Sequence, residues 1–282
     1  MFWTLVVLTL TYQLVCWALS RLRVGDYSRK HVLITGCDTG FGNLLAKRLD
    51  GLGFNVFAGC LTSAGAEKLQ MTCSQRVTTL LLDVTNEKSI VAARDFVDRK
   101  LPTGAGLWGV VNNAGISGPP LPIEWLARDD YVKYLNVNLF GMADVTRVFL
   151  PLVRKERGRV VNIREVYRQG VKVCMVEPGM FKTEIINVDR LIQEYKQHHD
   201  AVSPDIRDAY PQRTVENFTK NFARFTSTMS DKLYVVVDAY ELALTSRFPP
   251  TRQIVGNDAR FFYRFLWNLP APLCDWVLSR LI

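Results

Sequence analysis

A glycine-rich stretch constrains the fold of this chain more than any other feature of its sequence. Residues 35–42 read TGCDTGFG; they follow the β-branched run at 31–34 and precede leucines at helical spacing. A strand, a glycine loop and a helix in that order indicate a dinucleotide-binding loop rather than an ordinary glycine turn. Gly36 permits backbone angles that a side chain forbids, and Gly40 and Gly42 leave room for a pyrophosphate. The following helix N-terminus offers free N–H groups to the phosphates.

Strands and helices alternate along most of the remaining chain. The predicted strands are residues 31–34, 54–58, 77–84, 107–111, 159–163 and 171–176, with a further strand at 251–256. Segments with helical spacing lie at 62–73, 86–100 and 129–155, and the amphipathic region 184–247 is also predicted to be helical. Such alternation is typical of a parallel, doubly wound sheet. We therefore predict the α/β class with a Rossmann-type sheet.

The alternation breaks between the fifth and sixth predicted strands. Only residues 164–170 separate them, whereas parallel neighbours need a crossover of about a dozen residues or more, usually a helix. Seven extended residues reach at most about 25 Å. That length suffices to return along one strand, but it leaves no helix to cover the face of the sheet. We expect a disrupted crossover here.

The N-terminal segment is apolar and uncharged. Residues 1–20 contain no charged side chain, and Arg21 and Arg23 follow at once. About 20 apolar residues match the thickness of a bilayer, so we predict a membrane anchor over residues 1–23. A cleaved signal peptide is the alternative, although a basic n-region is absent. The two arginines favour a cytosolic globular domain, with a lumenal domain as the alternative.

Composition narrows the class of partner. The formal net charge is +8, with 48% hydrophobic and 22% charged residues. The basic residues are scattered and form no aromatic-interleaved stripe, which argues against nucleic acid and favours an anionic membrane. The six cysteines form no CxxC pair, as in a protein of a reducing compartment. We predict one domain over 29–258 and a hydrophobic segment over 259–282, which either packs in the core or contacts the membrane.

Six motifs then occur in a recognisable order. They are TGCDTGFG at 35–42, LLDVT at 81–85, GLWGVVNNAG at 106–115, NVNLFG at 136–141, GRVVNI at 158–163 and VKVCMVEPGMFKT at 171–183. On these motifs the chain resembles the short-chain dehydrogenase/reductase family, in particular its membrane-bound retinol and 3α,17β-hydroxysteroid dehydrogenase branch. The resemblance implies NAD-dependent hydride transfer to or from a lipophilic alcohol or ketone. It also implies an endoplasmic-reticulum membrane location and a possible homodimer.

The resemblance assigns roles to individual residues. Asp83 and Val84 would flank the adenine, and Asn138 would be the helix-kinking asparagine of the active site. The alternatives are a helix cap for Asp83, a solvent-side polar residue for Asn138 and a helix cap for Thr183. The residues expected to border the cofactor are Gly36, Asp38, Gly40, Phe41, Gly42, Asp83, Val84, Asn112, Ala114, Gly115, Pro178, Gly179 and Thr183. The last three would touch the nicotinamide end.

The choice between NAD and NADP depends on charge near the glycine loop. No Arg or Lys occupies residues 35–42 to bind a 2′-phosphate, and Asp38 would repel one. No acidic residue ends the second predicted strand, where residues 58–60 are Ala, Gly and Cys. These observations favour NAD over NADP.

Three groups that the family chemistry needs are missing. A Ser after the fifth strand polarises the reacting oxygen, a Tyr is the general acid/base, and a Lys four residues later lowers the Tyr pKa from its usual value of about 10. No tyrosine of this chain has a lysine four residues later, and no serine follows Ile163. Tyr167 and Lys172 are poor substitutes because they are five apart across a loop-to-strand boundary.

The simplest explanation is a clean internal deletion of roughly thirty residues, about one crossover unit. Both flanking parts match the family, which suggests alternative splicing or an omitted segment of the gene model. We therefore expect this chain to be inactive. The rival interpretations are a membrane-anchored NAD-binding pseudoenzyme and an interaction protein that pairs with full-length relatives. A metal site at 198–200 (His-His-Asp) is disfavoured because adjacent helical residues point to different sides.

Overall fold

A parallel sheet forms the centre of the computed structural model, which describes residues 2–162 and 171–278. Its seven strands have the order β3-β2-β1-β4-β5-β6-β7. They are β1 His31–Thr35, β2 Asn55–Cys60, β3 Val77–Leu81, β4 Gly109–Asn112, β5 Arg159–Asn162, β6 Lys172–Pro178 and β7 Arg252–Val255. All neighbouring pairs are parallel. The predicted doubly wound α/β class is confirmed.

Helices fill most of the connections. They are α1 Phe2–Ser20, α2 Gly40–Gly51, α3 Ser63–Gln70, α4 Glu87–Lys100, α5 Arg128–Leu135, α6 Met142–Lys155, α7 Val188–Ala201, α8 Pro204–Ala209, α9 Gln212–Ser227, α10 Tyr234–Thr245, α11 Arg264–Leu266 and α12 Ala271–Leu278. Short 3₁₀ turns occur at Tyr27–Arg29, Ile123–Trp125 and Glu184–Ile186, and π turns at Asn136–Gly141 and Asp258–Tyr263. The predicted continuous helix at 129–155 is therefore α5 and α6 joined by a π turn.

Apolar layers cover both faces of the sheet. Because side chains alternate along a strand, Val32 and Ile34 of β1 pack with α2 and α10, whereas Leu33 packs with α4 and α6. Tyr240 of α10 and Phe149 of α6 are fully buried on opposite faces. This packing fixes the strand ends at which the predicted site residues lie.

The fifth and sixth strands pair despite their short connection. Arg159 lies beside Lys172 and Asn162 beside Met175 in a parallel register. Residues 163–170, which include Tyr167, lie outside the described residues. The α5 helix and the first π turn expose several apolar side chains by 40% to 52%: Tyr131, Val132, Leu135, Leu139 and Phe140.

The predicted membrane anchor over residues 1–23 stays a prediction. Among residues 2–162 and 171–278, no helix combines the length and the apolar character needed to cross a bilayer. The α1 helix has 19 residues and carries no charged side chain.

The C-terminal segment is only weakly packed. Leu266 is buried, whereas Phe261 and Trp267 are 71% and 84% exposed. Core packing therefore accounts for little of the hydrophobic character of residues 259–278. The predicted boundaries of the domain, 29–258, and of this segment, 259–282, stay predictions.

Candidate dinucleotide-binding site

The glycine loop lies where the strand order reverses. Strand β1 is bordered by β2 on one side and β4 on the other, and such a switch point opens a crevice at the carboxyl ends of the strands. Gly36 and Gly40 have φ of +68° and +64°. A Cβ atom on Gly36 would lie 2.8 Å from Ala114 Cα, and one on Gly42 would lie 2.5 Å from the Gly36 carbonyl oxygen. Side chains are therefore excluded here, as the sequence predicts.

The first turn of α2 is open to an anion. The helix begins at Gly40, and the side chain of the preceding residue, Thr39, makes no capping hydrogen bond. Phe41 in this turn packs edge-on against Phe181, with ring centroids 5.8 Å apart. A 12-residue helix whose first N–H groups are not capped by a side chain suits a pyrophosphate, because the helix dipole also favours negative charge there.

Two polar residues that the sequence interpretation left out hold this loop in place. The Thr35 hydroxyl accepts hydrogen bonds from the N–H groups of Asn113 and Ala114, each at 3.0 Å. The Asn113 side-chain amide donates to the carbonyl oxygens of Thr35 and Gly36 at 2.9 and 3.0 Å. These four bonds fasten the glycine loop to the end of β4 and explain why Ala114 and Gly115 border the crevice.

Asp38 belongs to the glycine loop, but its side chain contacts the residues that follow β2. Its carboxylate accepts hydrogen bonds from Leu61 N at 2.8 Å and from the N–H and hydroxyl of Thr62 at 3.0 and 2.7 Å. In dinucleotide folds the end of the second strand is where an acidic residue binds the adenosine ribose. Asp38 thus brings to this position the negative charge that residues 58–60 lack.

The connection after β3 has its own polar network. Asp83 accepts hydrogen bonds from the N–H and hydroxyl of Thr85 at 2.9 and 2.7 Å. The N-cap of α4 is Asn86, so the alternative of a helix cap for Asp83 is wrong. Val84 is buried, and its carbonyl oxygen would lie 2.8 Å from a Cβ atom on Gly141. The β3 end therefore packs against the π turn.

Asn112 ties together the ends of two strands. Its side-chain amide donates to the Thr146 hydroxyl at 2.8 Å and to Asn162 Oδ1 at 2.6 Å. In the described part of the chain, Asn112 Oδ1 and Asn162 Nδ2 are buried without a hydrogen-bond partner. Asn162 is the last residue of β5, so these two amide atoms without hydrogen-bond partners lie at the end of that strand.

Asn138 stands within the π turn and bonds to backbone. Its amide oxygen accepts from Ile116 N and its amide nitrogen donates to Ile116 O, both at 2.9 Å. The residue is exposed, as the solvent-side alternative expects, and its side chain is held by these two hydrogen bonds. The π turn is the local irregularity that the resemblance implies. The catalytic role of Asn138 stays a prediction.

The loop after β6 completes the crevice. Gly179 N donates to Val255 O at 2.7 Å, and Met180 N donates to a carboxylate oxygen of Asp258 at 2.6 Å. Pro178 is the last residue of β6 and pairs with Val255. Thr183 lies 3.9 Å from the position of a Cβ atom on Gly40. Thr183 occupies the N-cap position of the following 3₁₀ turn, as the helix-cap alternative expects, but its side chain makes no capping hydrogen bond.

A cavity of about 240 Å³ joins these segments. Three parts of the chain line it: the glycine loop, the end of β4 and the segment after β6. The lining residues are Thr39, Gly115, Ile116, Ser117, Glu184, Ile185 and Arg190. The cavity thus lies between segments that are distant in the sequence, and Gly115 is the predicted site residue among those that line it.

Comparisons with known proteins agree with this geometry. The family model described as short chain dehydrogenase matches residues 30–164. Retinol dehydrogenase 7 of Rattus norvegicus is 42% identical over 284 residues, covering 90% of this chain and 89% of the relative. The 17-beta-hydroxysteroid dehydrogenase type 6 of Mus musculus is 40% identical over 308 residues, covering 99% and 97%.

The chain belongs to the short-chain dehydrogenase family. Solved structures share its fold at low identity. A short-chain dehydrogenase from Streptomyces avermitilis has a TM-score of 0.62 at 22% identity, covering 89% of this chain and 98% of its own. A short-chain dehydrogenase/reductase from Burkholderia phymatum in complex with NAD has a TM-score of 0.65 at 16% identity, covering 86% and 94%.

The alignment lengths also bear on the missing segment. An alignment of 308 residues is longer than the 282 residues of this chain. The mouse relative therefore has residues without a counterpart here. The family model, in turn, ends its match at residue 164, where the short connection begins. The alignment length shows that this chain lacks residues that the relative has, and the placement of that gap between β5 and β6 stays a prediction.

The polar side chains near the cavity do not replace the family's missing groups. Tyr134 lies against Gly118, within contact of the loop that lines the cavity. Burial, followed by the negative charges of Glu194 and Asp130, raises the pKa of the Tyr134 hydroxyl. A catalytic tyrosine needs the opposite shift. Tyr134 is therefore a poor general base.

The two adjacent histidines point to different partners. His198 lies 3.2 Å from an Asp130 carboxylate oxygen and 2.8 Å from the Glu194 carbonyl oxygen. His199 is buried, and its Nε2 lies 2.8 Å from the Tyr210 carbonyl oxygen. Their divergence gives both residues a structural role in the packing of α7.

Proposed function

We propose that this chain is a non-catalytic, dinucleotide-binding member of the short-chain dehydrogenase family. The single observation that carries the proposal is the contrast between the glycine loop and the connection from β5 to β6. The glycine loop is held by four hydrogen bonds to the end of β4, whereas the connection that supplies the acid/base groups in the family is reduced to residues 163–171.

The described residues suit a nicotinamide dinucleotide. Gly36, Gly40 and Gly42 would face the pyrophosphate, and the first turn of α2 would supply N–H groups to it. Pro178, Gly179 and Thr183 would border the nicotinamide, together with the end of β4. A bound nicotinamide supplies or accepts the hydride in this family's reaction.

We propose NAD rather than NADP as the ligand. Asp38 is held by three hydrogen bonds at the end of β2, where its negative charge would meet the adenosine ribose. A carboxylate accepts hydrogen bonds from ribose hydroxyls and repels a 2′-phosphate. The fixed position of Asp38 supports the preference for NAD.

The chain should not catalyse hydride transfer at a useful rate. Loss of general acid/base catalysis alone lowers a rate by about 10²–10⁴-fold, and the polarising serine is lost as well. The printed names of the relatives refer to retinol and 17β-hydroxysteroids. We propose that a longer form of this protein, with the complete crossover, acts on such lipophilic alcohols or ketones.

The test combines binding and turnover on the purified full chain. NADH binding is followed by fluorescence, and turnover by NADH formation from NAD with retinol or an androstane alcohol. Gly42→Ala places a Cβ atom 2.5 Å from the Gly36 carbonyl oxygen and should abolish binding. Gly51→Ala is the matched control, since it lies on the same helix and its Cβ atom would meet open space.

We expect the chain and the Gly51→Ala variant to bind NADH, the Gly42→Ala variant not to bind it, and none of them to turn over. Robust turnover by the full chain would overturn the proposed loss of catalysis. Absence of NADH binding would overturn the proposed dinucleotide site. An interaction protein that pairs with full-length relatives would then become the leading alternative, tested by co-purification.

We also propose that α1 holds the protein at a membrane. Its apolar side chains are exposed on all sides of the helix, with Leu8, Leu10 and Leu14 each about 60% exposed. Residues 2–20 carry no charge, so this surface has no favourable contact with water. The location in the endoplasmic reticulum, the cytosolic side and the possible homodimer stay predictions.

A further inference from the structure

The segment that leaves α1 is fastened to one end of the domain. Val24 N donates to Thr245 O and Arg247 N donates to Leu22 O, both at 2.7 Å. The Arg23 guanidinium donates to the Thr245 hydroxyl at 2.5 Å. These bonds bring residues next to α1 against the end of α10, more than 200 positions later in the chain.

A second basic residue joins this contact from the sheet. Lys172 begins β6, and its ammonium donates to the Arg247 carbonyl oxygen. The same ammonium lies 5.5 Å from the centre of the Phe248 ring. Strand β6 starts here and ends at Pro178 in the crevice. The contact is therefore at the opposite end of the parallel strands from the dinucleotide site.

The resulting surface combines cations with exposed apolar side chains. Leu22 and Phe248 are 46% and 52% exposed. On α1, Trp17 is 57% exposed, and the Arg21 guanidinium lies 4.8 Å from its ring centre. We call this the basic–aromatic surface, formed by Trp17, Arg21, Leu22, Arg23, Lys172, Arg247 and Phe248.

The cations of this surface form no ion pair with the acidic residues that the structure describes. Across the described ranges 2–162 and 171–278, no carboxylate lies within ion-pair distance of Arg21, Arg23, Lys172 or Arg247. Partial burial, followed by the positive charge of Arg159, lowers the pKa of the Lys172 ammonium, and Arg247 adds to this effect. The surface is therefore complementary to an anionic partner.

We propose that the basic–aromatic surface rests on the anionic headgroups of the bilayer that holds α1. This inference builds on the proposed membrane attachment of α1 and adds the orientation of the domain. Exposed Trp and Phe rings beside Arg and Lys are typical of side chains at a membrane–water interface. In this orientation the dinucleotide crevice, at the other end of the strands, faces away from the headgroups.

The test is flotation of the full chain with two kinds of vesicle. One contains phosphatidylcholine alone, and the other contains phosphatidylcholine with phosphatidylserine. The test variant is Lys172→Gln with Arg247→Gln. The matched control is Lys68→Gln with Lys88→Gln, which removes two exposed cations on α3 and α4. None of these side chains lines the crevice, so NADH binding should be unchanged and reports that each variant is folded.

We expect tighter binding to the vesicles with phosphatidylserine, and a loss of about fivefold for each charge removed from the surface, equivalent to about 1 kcal/mol per charge. The control variant should bind as the unmodified chain does. Equal binding of all three proteins to both vesicles would overturn the proposed surface while leaving membrane attachment intact. Failure of the unmodified chain to bind either vesicle would overturn the attachment of α1 and this inference with it.

Discussion

The two connections that lead into the crevice differ in what they retain. Between β1 and α2, the glycine loop keeps positive φ angles, close backbone approaches and hydrogen bonds to the end of β4. Between β5 and β6, the strands pair in register, but the connection is too short for a crossover helix. The first region would recognise a ligand mainly through its backbone, whereas in the family the second supplies catalytic side chains.

This comparison suggests a test of whether binding and chemistry can be separated in this fold. Strand β6 is paired on both sides, by β5 and by β7. The apolar cores on both faces remain buried. We therefore expect the glycine-loop half to keep its structure although the family's acid/base groups are missing.

The largest expected effect is the difference in stability between truncating a buried and an exposed phenylalanine. Phe149 of α6 is fully buried in the core, whereas Phe140 of the π turn is 52% exposed. We expect Phe149→Ala to lower the free energy of unfolding by about 3–5 kcal/mol. Phe140→Ala should change it by no more than about 0.5 kcal/mol. Urea denaturation followed by circular dichroism measures both.

Equal destabilisation by the two variants would contradict this contrast. It would mean that the surface of α5 and the π turn is covered in the folded protein. A loss of cooperativity in the unmodified chain would break the comparison altogether, because it would show that the short connection disrupts the core.

A smaller effect is expected where the π turn meets the loop after β4. Asn138→Ala removes both hydrogen bonds to Ile116 and should lower the free energy of unfolding by about 1–2 kcal/mol. Asn136→Ala, two residues earlier and also exposed, is the control and should have little effect. If the two variants are equally stable in urea, the contact with Ile116 does not hold the turn.

The smallest effect concerns the choice of dinucleotide. Asp38→Asn removes a negative charge at the end of β2 and should raise the affinity for NADPH relative to NADH by about five- to tenfold, or about 1–1.4 kcal/mol. Asp50→Asn is the control, because Asp50 likewise bonds to a neighbouring loop, at Ser74 N and Oγ. Fluorescence titration with both dinucleotides gives the ratio. An unchanged ratio in Asp38→Asn would remove the basis for preferring NAD.

The sheet and the glycine loop could be predicted from the sequence because their signals are local. The β-branched runs and the glycine spacing at 35–42 depend only on neighbouring residues. The short connection between β5 and β6 could likewise be predicted, because it follows from the number of residues between the two strands. These local features were sufficient to predict the parallel sheet and to locate where its pattern fails.

Contacts between distant residues explain what the sequence did not reveal. Asp38 bonds to residues 23 and 24 positions later, and Asn113 to residues 77 and 78 positions earlier. Asp258, which holds the loop after β6, is 78 positions from Met180. Helical spacing over 129–155 likewise could not show the π turn at Asn138, whose partner Ile116 lies in another segment.

The predicted membrane anchor stays a prediction. Residues 1–20 carry no charge, and α1 comprises 19 residues. The exposure of its apolar side chains still supports membrane attachment as a proposal. Composition alone thus indicated an apolar surface but not how that surface meets a bilayer.

Thermal unfolding of the full chain with and without NADH tests the central claim most directly. The account predicts one cooperative transition that shifts to higher temperature with NADH, since a ligand at 100 times its dissociation constant stabilises the folded state by about 2.7 kcal/mol. A cooperative transition that ignores NADH would contradict the proposed dinucleotide site. A transition without cooperativity would contradict the claim that the glycine-loop half folds despite the lost crossover.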